Sequence, residues 1–258
     1  MEKKRQIAAV LILLALIGLI AYRHSTGKDL EKYEASFFDV FDTQTQIIGY
    51  ASSKEQFSEQ MSLIKDKFQY YNDLYDIYHD YEGMNNIKTI NDNAGIQPVK
   101  VDEEIIELLK LGITMDEKTD GNMNIAMGSV LSIWHDYREA GSEDPYSAEL
   151  PPMDELEKAA EHTDIHNIVI DEEASTVYLT DPDMSLDVGS IGKGYAVQKV
   201  AEYAKNELGI RYMLFSVGGN VCAIGGHPDG SAWAVGIQNP DVESDQAYIK
   251  KVEVQDLR

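Results

Sequence analysis

Residues 186–195 read Leu-Asp-Val-Gly-Ser-Ile-Gly-Lys-Gly-Tyr, which gathers a carboxylate, three glycines and a lysine where a helix should start. Backbone N–H groups at a helix start lack intrahelical acceptors and sit at the positive end of the helix dipole, so they attract phosphate. The glycines let an anion approach the backbone, and Lys193 adds a full positive charge. Asp187 would repel a bare diphosphate and makes sense mainly if a divalent cation lies between them. Two rival signatures fail. A dinucleotide-binding turn needs Gly-x-Gly-x-x-Gly and an acid about 20 residues later, but the spacing here is Gly189-x-x-Gly192-x-Gly194 and residues 214–220 are Leu-Phe-Ser-Val-Gly-Gly-Asn. A serine nucleophile elbow needs Gly-x-Ser-x-Gly, and Val188 stands at the first glycine, which argues against Ser190 as a nucleophile. A tight turn without a ligand stays open on this segment alone.

The elements that must position this turn follow from hydrophobic spacing. Strands are expected over residues 176–180 and 184–188, then a helix over 191–208 closed by Gly209. Upstream, a charged linker over 25–34 precedes one strand over 37–50. Ser53 and Gln56 form a capping box, and the stripe Phe57, Met61, Ile64, Phe68, Tyr71 and Tyr75 marks a long helix by its three- and four-residue spacing. Tyr70, Tyr71, Tyr75, Tyr78 and Tyr81 invite an aromatic platform, but that spacing makes most of them packing residues. A second helix runs from the N-cap Asp102 to about residue 119, with Gly121 as its C′ residue. A loop over 122–128 and a short helix with Trp134 and His135 come next. His135, like His162 and His166, reads as a hydrogen-bonded core or surface histidine. Pro151-Pro152 and the acids around Glu143 mark a loop, and a last strand begins near Ala247.

Composition bounds the class. With 258 residues, 43% hydrophobic and 26% charged, the chain can bury a substantial core. Its net charge is −23, and the first 28 residues hold five of the 22 basic residues but one of the 45 acids, so residues 29–258 carry −27. So acidic a domain argues against nucleic-acid binding. Cys222 is the single cysteine, so no internal disulfide forms, and it reads as a small buried hydrophobe. Lys3-Lys4-Arg5 precede an apolar run over 7–21, between the length of a signal-peptide core and the roughly 20 residues of a spanning helix. No small-x-small cleavage site or lipobox cysteine follows. The expectation is an uncleaved single-pass signal anchor over 1–28, basic end in the cytoplasm and the 29–258 domain on the exported side of the cell membrane; a cleaved signal peptide is the alternative.

Several ordered motifs resemble the ApbE family, the FAD:protein FMN transferases, from about residue 37 onward. The family's Asp-(Leu/Val)-(Gly/Ser)-(Gly/Ala/Ser)-x-(Gly/Ala)-(Lys/Glu)-Gly-Tyr signature is similar to Asp187 through Tyr195. Its Gly-Gly-(Asn/Asp) turn corresponds to Gly218-Gly219-Asn220, and its later Trp-x-Val-Gly-Ile-x-x-Pro run to Trp233 through Pro240. Phe41-Asp42-Thr43 resembles the first flavin-contacting strand, and residues 91–95 the Asn-rich turn. Two motifs depart. The usual Gly-x-Phe-Asp-(Pro/Ile)-Thr is Gly121-Asn122-Met123-Asn124-Ile125-Ala126, with Asn124 for the carboxylate and Ala126 for the hydroxyl; Gln198 replaces an Asp three residues after the signature Tyr. Both changes lower negative charge.

The resemblance implies an α+β (mixed α/β) single-domain fold and an FAD site built from Phe41, Tyr78, Asn122, Met123, Asn124, Asp187 and Lys193, with Ser190 as a Mg²⁺ ligand. It implies Mg²⁺-dependent transfer of FMN from FAD to a threonine of an exported flavoprotein bearing an Asp-x-x-Thr-Gly-Ala-type motif, with release of AMP. The family's remaining metal ligands, a distal Asp and Thr, would follow Arg258, so a C-terminal part is expected to be missing. FAD hydrolysis to FMN and AMP, and a non-catalytic exported flavin-binding protein, remain as alternatives.

Overall fold

The computed structural model of the protein describes residues 30–256, so the anchor expected over 1–28 lies outside the described residues. No described helix is long and apolar enough to cross a membrane. In chain order the elements are β1 (Glu31–Val40), β2 (Thr43–Ala51), α1 (Lys54–Tyr75), α2 (Ile87–Asp92), β3 (Val99–Lys100), α3 (Glu103–Lys118) and α4 (Gly128–Glu143). They continue with α5 (Met153–Ala160), a 3-10 turn (Ile165–Asn167), β4 (Ile168–Asp171), β5 (Thr176–Leu179), α6 (Gly192–Asn206), β6 (Met213–Val217), β7 (Asn220–Ile224), β8 (Trp233–Gln238) and β9 (Tyr248–Val254). An antiparallel sheet has the order β1-β2-β6-β7, a small one the order β3-β5-β4, and β8 and β9 form a hairpin. Helices and antiparallel sheets in this arrangement are the mixed fold expected.

Alternation along β2 and β6 decides which face is buried. Ile47 pairs with Phe215 and Gly49 with Met213, and all four lie on the face that meets α1 and α6. Phe68 of α1 approaches Phe215 edge-on, with centroids 6.3 Å apart, and the completely buried Ile64, Tyr71 and Leu74 extend this layer. Each such side chain contributes about 1.5–3 kcal/mol by leaving water. The opposite face, through Ile48, Tyr50 and Leu214, packs on Trp233 and Val254 of the β8–β9 hairpin. Cys222 is buried on β7 as expected, and burial pushes its thiol pKa up.

Several boundaries move for identifiable reasons. The strand expected over 37–50 is two strands, and β1 starts inside the expected linker. The chain reverses at Phe41 and Asp42, both in the left-handed region with φ 55° and 49°, between the paired residues Val40 and Thr43. Such a two-residue turn normally takes Asn-Gly, so an aromatic residue there concealed it. Ser53 does cap α1, accepting from the Gln56 N–H, but Gln56 Oε1 accepts from Ser52 N–H rather than from Ser53. At the end of α3, Asp120 (φ 52°) takes the C′ position and Gly121 follows it, its N–H reaching Asp116 C=O at 2.9 Å. The helix with Trp134 and His135 is 16 residues long rather than short.

Residues 184–188 were expected to form a strand and do not. The segment has no strand neighbour. Leu186 N–H donates to Asn91 Oδ1 (2.7 Å) and Asn91 Nδ2 donates back to Leu186 C=O (3.0 Å), so one side-chain amide takes the place of a neighbouring backbone. Asp187 N–H and Ser185 C=O bond to Ile125 C=O and Gly128 N–H in the loop before α4. Just upstream, His162 Nδ1 lies 2.9 Å from an Asp181 carboxylate oxygen and ties the end of α5 to the turn after β5.

Two expectations follow. Gly218 has φ 53°, and a Cβ there would sit 2.6 Å from Thr43 Oγ1 of the neighbouring turn. Gly218→Ala should therefore destabilise the protein by at least about 1–2 kcal/mol, the cost of a left-handed residue with a Cβ; an unchanged denaturant midpoint would contradict this. The hydrogen bond to Asp181 raises the pKa of His162, and the same contact, with the Asp183 N–H, lowers that of Asp181. The pair's stabilisation is thus complete from about pH 4 to about 6.5, and it fades as pH rises through the raised His162 pKa or falls through the lowered Asp181 pKa. A proton NMR titration should place the His162 midpoint above the ordinary value, returning toward it in Asp181→Asn; equal midpoints in both proteins would contradict the contact.

Candidate functional site

The turn before α6 is built from its own side chain outward. Asp187 Oδ1 accepts from Gly189 N–H at 2.8 Å, and Ile191 and Gly192 N–H both close on Val188 C=O. α6 has no side-chain cap. The N–H groups of Ser190, Lys193 and Gly194 find no acceptor among the described residues, which leaves three donors at the positive end of a 15-residue helix. A Cβ at 194 would lie 3.3 Å from Asn220 Oδ1 of the Gly218-Gly219-Asn220 turn, a tight contact that glycine avoids. That turn and the Phe41-Asp42 turn lie side by side, with Gly218 N–H on Gln44 C=O. Two hairpin tips and a helix start thus meet at one end of the sheet.

Beside them opens a cleft of about 550 Å³, lined by Phe41, Tyr75, Tyr78, Gly189, Gly192 and Lys193, with Asp39, Asp42, Asp76, Asp187, His79 and Arg138 as its charged or titratable wall. A second hollow of about 540 Å³ adjoins it and shares Tyr78, Arg138 and Asp187; Leu131, Trp134, His135, Tyr137 and Leu150 make its aromatic and apolar walls. One lobe is suited to phosphates and the other to a flat ring. Asp39 pairs with Lys65 on α1. Asp76 is half-buried, which opposes ionisation, yet the N–H groups of Tyr78 and His79, the Tyr81 hydroxyl and the His79 ring outweigh burial and hold its carboxyl below the usual range. Burial, and then the Asp187 charge, push the Tyr78 hydroxyl up. Lys193 has no ion-pair or hydrogen-bond partner among the described residues, so its charge is available to a ligand.

The structure brings Phe41, Tyr78, Asp187 and Lys193 together on one cleft. It places Asn122, Met123 and Asn124 outside the lining of both hollows. Asn122 Nδ2 donates to Thr119 C=O, Met123 packs against the core, and Asn124 bridges Ala126 N–H and Thr163 C=O. Ser190 is exposed on the turn. Tyr195, the last residue of the motif, faces away from the cleft. Its hydroxyl donates to Glu107 Oε2 at 2.9 Å, and burial together with that contact pushes its pKa up to about 12. Lys199 shares the same carboxylate and lies 3.4 Å from Glu104, so α6 is clamped to α3.

Sequence reasoning missed Arg138, Asn72 and Asn86. Asn72 Oδ1 accepts from Phe41 N–H at 2.7 Å and holds the hairpin tip against α1. Asn86 is completely buried; it caps α2 and donates through Nδ2 to Asp73 C=O and His79 C=O, fixing the loop that carries Tyr78. An Asn two residues before a Lys-Thr pair at a helix start was the available signal, a capping box closed by Thr89. His162 is the hydrogen-bonded histidine expected, through Asp181, and with Asp181 and Asp183 it forms a group whose ligand atoms lie within 4.8 Å of one another. That group is separate from the Ser190 turn.

Comparison with known proteins bears on the family and the fold. The ApbE family profile matches residues 41–257. The FAD:protein FMN transferase of Escherichia coli K12 is 26% identical over 180 residues, covering 69% of this chain and 50% of the relative. That of Treponema pallidum is 29% identical over 167 residues, covering 60% and 44%. The chain thus spans about half the length of the curated relatives it matches. Among solved structures, the ApbE protein of Thermotoga maritima superposes with a TM-score of 0.72 at 23% identity, over 88% of this chain and 68% of the other. The flavin transferase ApbE from Vibrio cholerae gives 0.67 at 20%, over 87% and 68%. At these identities the structural likeness speaks for the fold, and the profile match over most of the chain settles the lineage: the chain belongs to the ApbE family.

Proposed function

We propose that this chain carries the FAD-binding part of an FAD:protein FMN transferase, which moves FMN from FAD onto a threonine of an exported flavoprotein with an Asp-x-x-Thr-Gly-Ala-type motif. The observation that carries the reading is the two-lobed cleft, in which Gly189, Gly192 and Lys193 of the α6 start line one lobe and aromatic side chains line the other. The diphosphate lies at the α6 start, where backbone donors bind it without reorganising. Lys193 balances its charge, while Asp187, tied to Gly189, keeps the turn in shape or contacts the nucleotide. In the transfer step the threonine hydroxyl gives up its proton to solvent, its oxygen forms a bond to the FMN-side phosphorus, the bond from that phosphorus to the bridging oxygen breaks, and AMP leaves with that bond's electrons. Phe41, Tyr78 and the amide-held loops keep the nucleotide aligned, which is the main requirement of a phosphoryl transfer.

A hard divalent cation fits the donors present. Asp187 and Ser190 offer oxygens, the cleft wall has four carboxylates against two permanent cations, and Mg²⁺ commonly binds through one or two carboxylates plus substrate phosphates. Ser190, through its carbonyl or hydroxyl, and Asp187 would hold it. Bound there, the ion would neutralise phosphate charge and favour in-line attack. FAD hydrolysis, or flavin binding without chemistry, is the second reading, and the small number of cation ligands at the turn favours binding without chemistry. The apolar segment over 7–21 is proposed as a single-pass anchor that keeps the domain on the exported side of the membrane, near its acceptor.

Lys193→Ala should weaken FAD binding by about 1.5–3 kcal/mol, the range for a hydrogen bond to a charged group, with the fold intact by circular dichroism. An unchanged affinity would make Lys193 an ordinary surface residue. In calorimetric titrations, FAD should bind more tightly with Mg²⁺ than with EDTA; equal affinity would end the metal assignment. Transfer itself is read by mass spectrometry as the gain of one FMN on a threonine-bearing acceptor. Binding of FAD with AMP release but no gain of mass would select the hydrolase reading.

A further inference from the structure

We propose that Arg138 is a second phosphate-binding cation of the cleft, acting from α4 while Lys193 acts from α6, and that it is the residue by which the site selects phosphorylated over unphosphorylated flavins. This rests on the reading of the cleft as a dinucleotide site. Arg138 lines both hollows, at the junction where a ligand with its phosphates in one lobe and a ring in the other must pass. Six lysines among the described residues pair with carboxylates, and others, such as Lys67 and Arg211, do not, so what singles out Arg138 is its position on both hollows. Arg138 has no carboxylate within ion-pair distance among the described residues.

What holds it is a neutral acceptor. The guanidinium donates to His135 Nδ1 at 2.8 Å, and His135 Nε2 lies 3.0 Å from Glu139 Oε1. An arginine can only donate, so His135 Nδ1 must carry the lone pair and Nε2 the proton given to Glu139. The Tyr78 ring lies over the same histidine, with centroids 5.1 Å apart. Glu139, His135 and Tyr78 therefore orient the guanidinium without neutralising it. One of its five N–H donors is used, and the rest remain as a planar fork of the kind that matches phosphate oxygens. Lys193 and the α6 start hold the diphosphate from the turn, and Arg138 holds it from the aromatic side, where one ring of the dinucleotide enters between Tyr78 and Trp134.

The test compares FAD, FMN and riboflavin, which share the isoalloxazine ring, FMN adding a phosphate to riboflavin and FAD a diphosphate and adenosine, by fluorescence titration of the purified protein and of Arg138→Met, Arg138→Lys and Lys193→Ala. Arg138→Met should raise the FAD dissociation constant at least about tenfold, flatten its salt dependence, and leave riboflavin within about twofold. The loss in Arg138→Met should extend to FMN, and a loss confined to FAD would assign Arg138 to the adenosine and overturn the phosphate role. Arg138→Lys, which keeps the charge and most of the stem, should lie between; it also carries the test if the methionine variant melts early. FAD affinity unchanged in Arg138→Met but lowered in Lys193→Ala would overturn the role of Arg138 and leave the dinucleotide reading standing. Equal weakening of FAD and riboflavin would also overturn it, because it would mark Arg138 as a packing residue. If the unmodified protein holds FAD no more tightly than riboflavin, the dinucleotide reading fails, and the proposal with it.

Discussion

An extended segment without a strand beside it must find partners for its backbone elsewhere, and the wall of the cleft depends on how residues 184–188 solve this. Asn91 supplies one donor and one acceptor to Leu186, which stands directly before Asp187. Asn86, at the other end of the same six-residue helix, holds His79 and Asp73 through its amide. Helix α2 is therefore a jig. One end sets the loop with Tyr78 and the other sets the turn with Asp187, so two walls that are over 100 residues apart in sequence keep a fixed separation. A buried amide left with half its partners costs more than an apolar residue would, and the buried Asn86 has both of its amide hydrogens and its oxygen engaged.

What could be read from the sequence depended on whether a residue's role was local. The α6 start, the Ser53 and Asp102 caps and the apolar stripe of α1 were all readable, because spacing within one turn of helix determines them. Cys222 was readable because a single cysteine in an apolar strand has little else to do. Roles that depend on distant partners were not. Asn91 looks like a turn residue until Leu186 is placed beside it, and Arg138 is one charge on a helix until two hollows are seen to meet there. Residues 184–188 have the apolar pattern of a strand and the burial of one, Met184, Leu186 and Val188 inside, but pairing is a tertiary event that no pattern of one segment encodes. Asn122 to Asn124 show the reverse: a motif of recognisable type whose side chains here serve the loop itself.

The signature turn divides its work between two sides of one helix end. Gly189, Gly192 and Lys193 line the cleft, while Tyr195 reaches Glu107 and, with Lys199, secures the helix to α3. An anion-binding helix start is useful only if it stays in place when charge arrives, and this clamp, together with Val188 beneath the turn, resists such a displacement.

The hairpin tip at Phe41 and Asp42 has an evolutionary consequence. Two ordinary side chains occupy backbone conformations that glycine and asparagine adopt at less cost, so drift toward a more robust protein would push this tip toward Asn-Gly. That same drift would take an aromatic ring from the cleft. On the proposed reading of the cleft, position 41 is thus a place where selection for folding and selection for ligand pull in opposite directions, and lineages that abandon the ligand should be recognisable by which residue has won there.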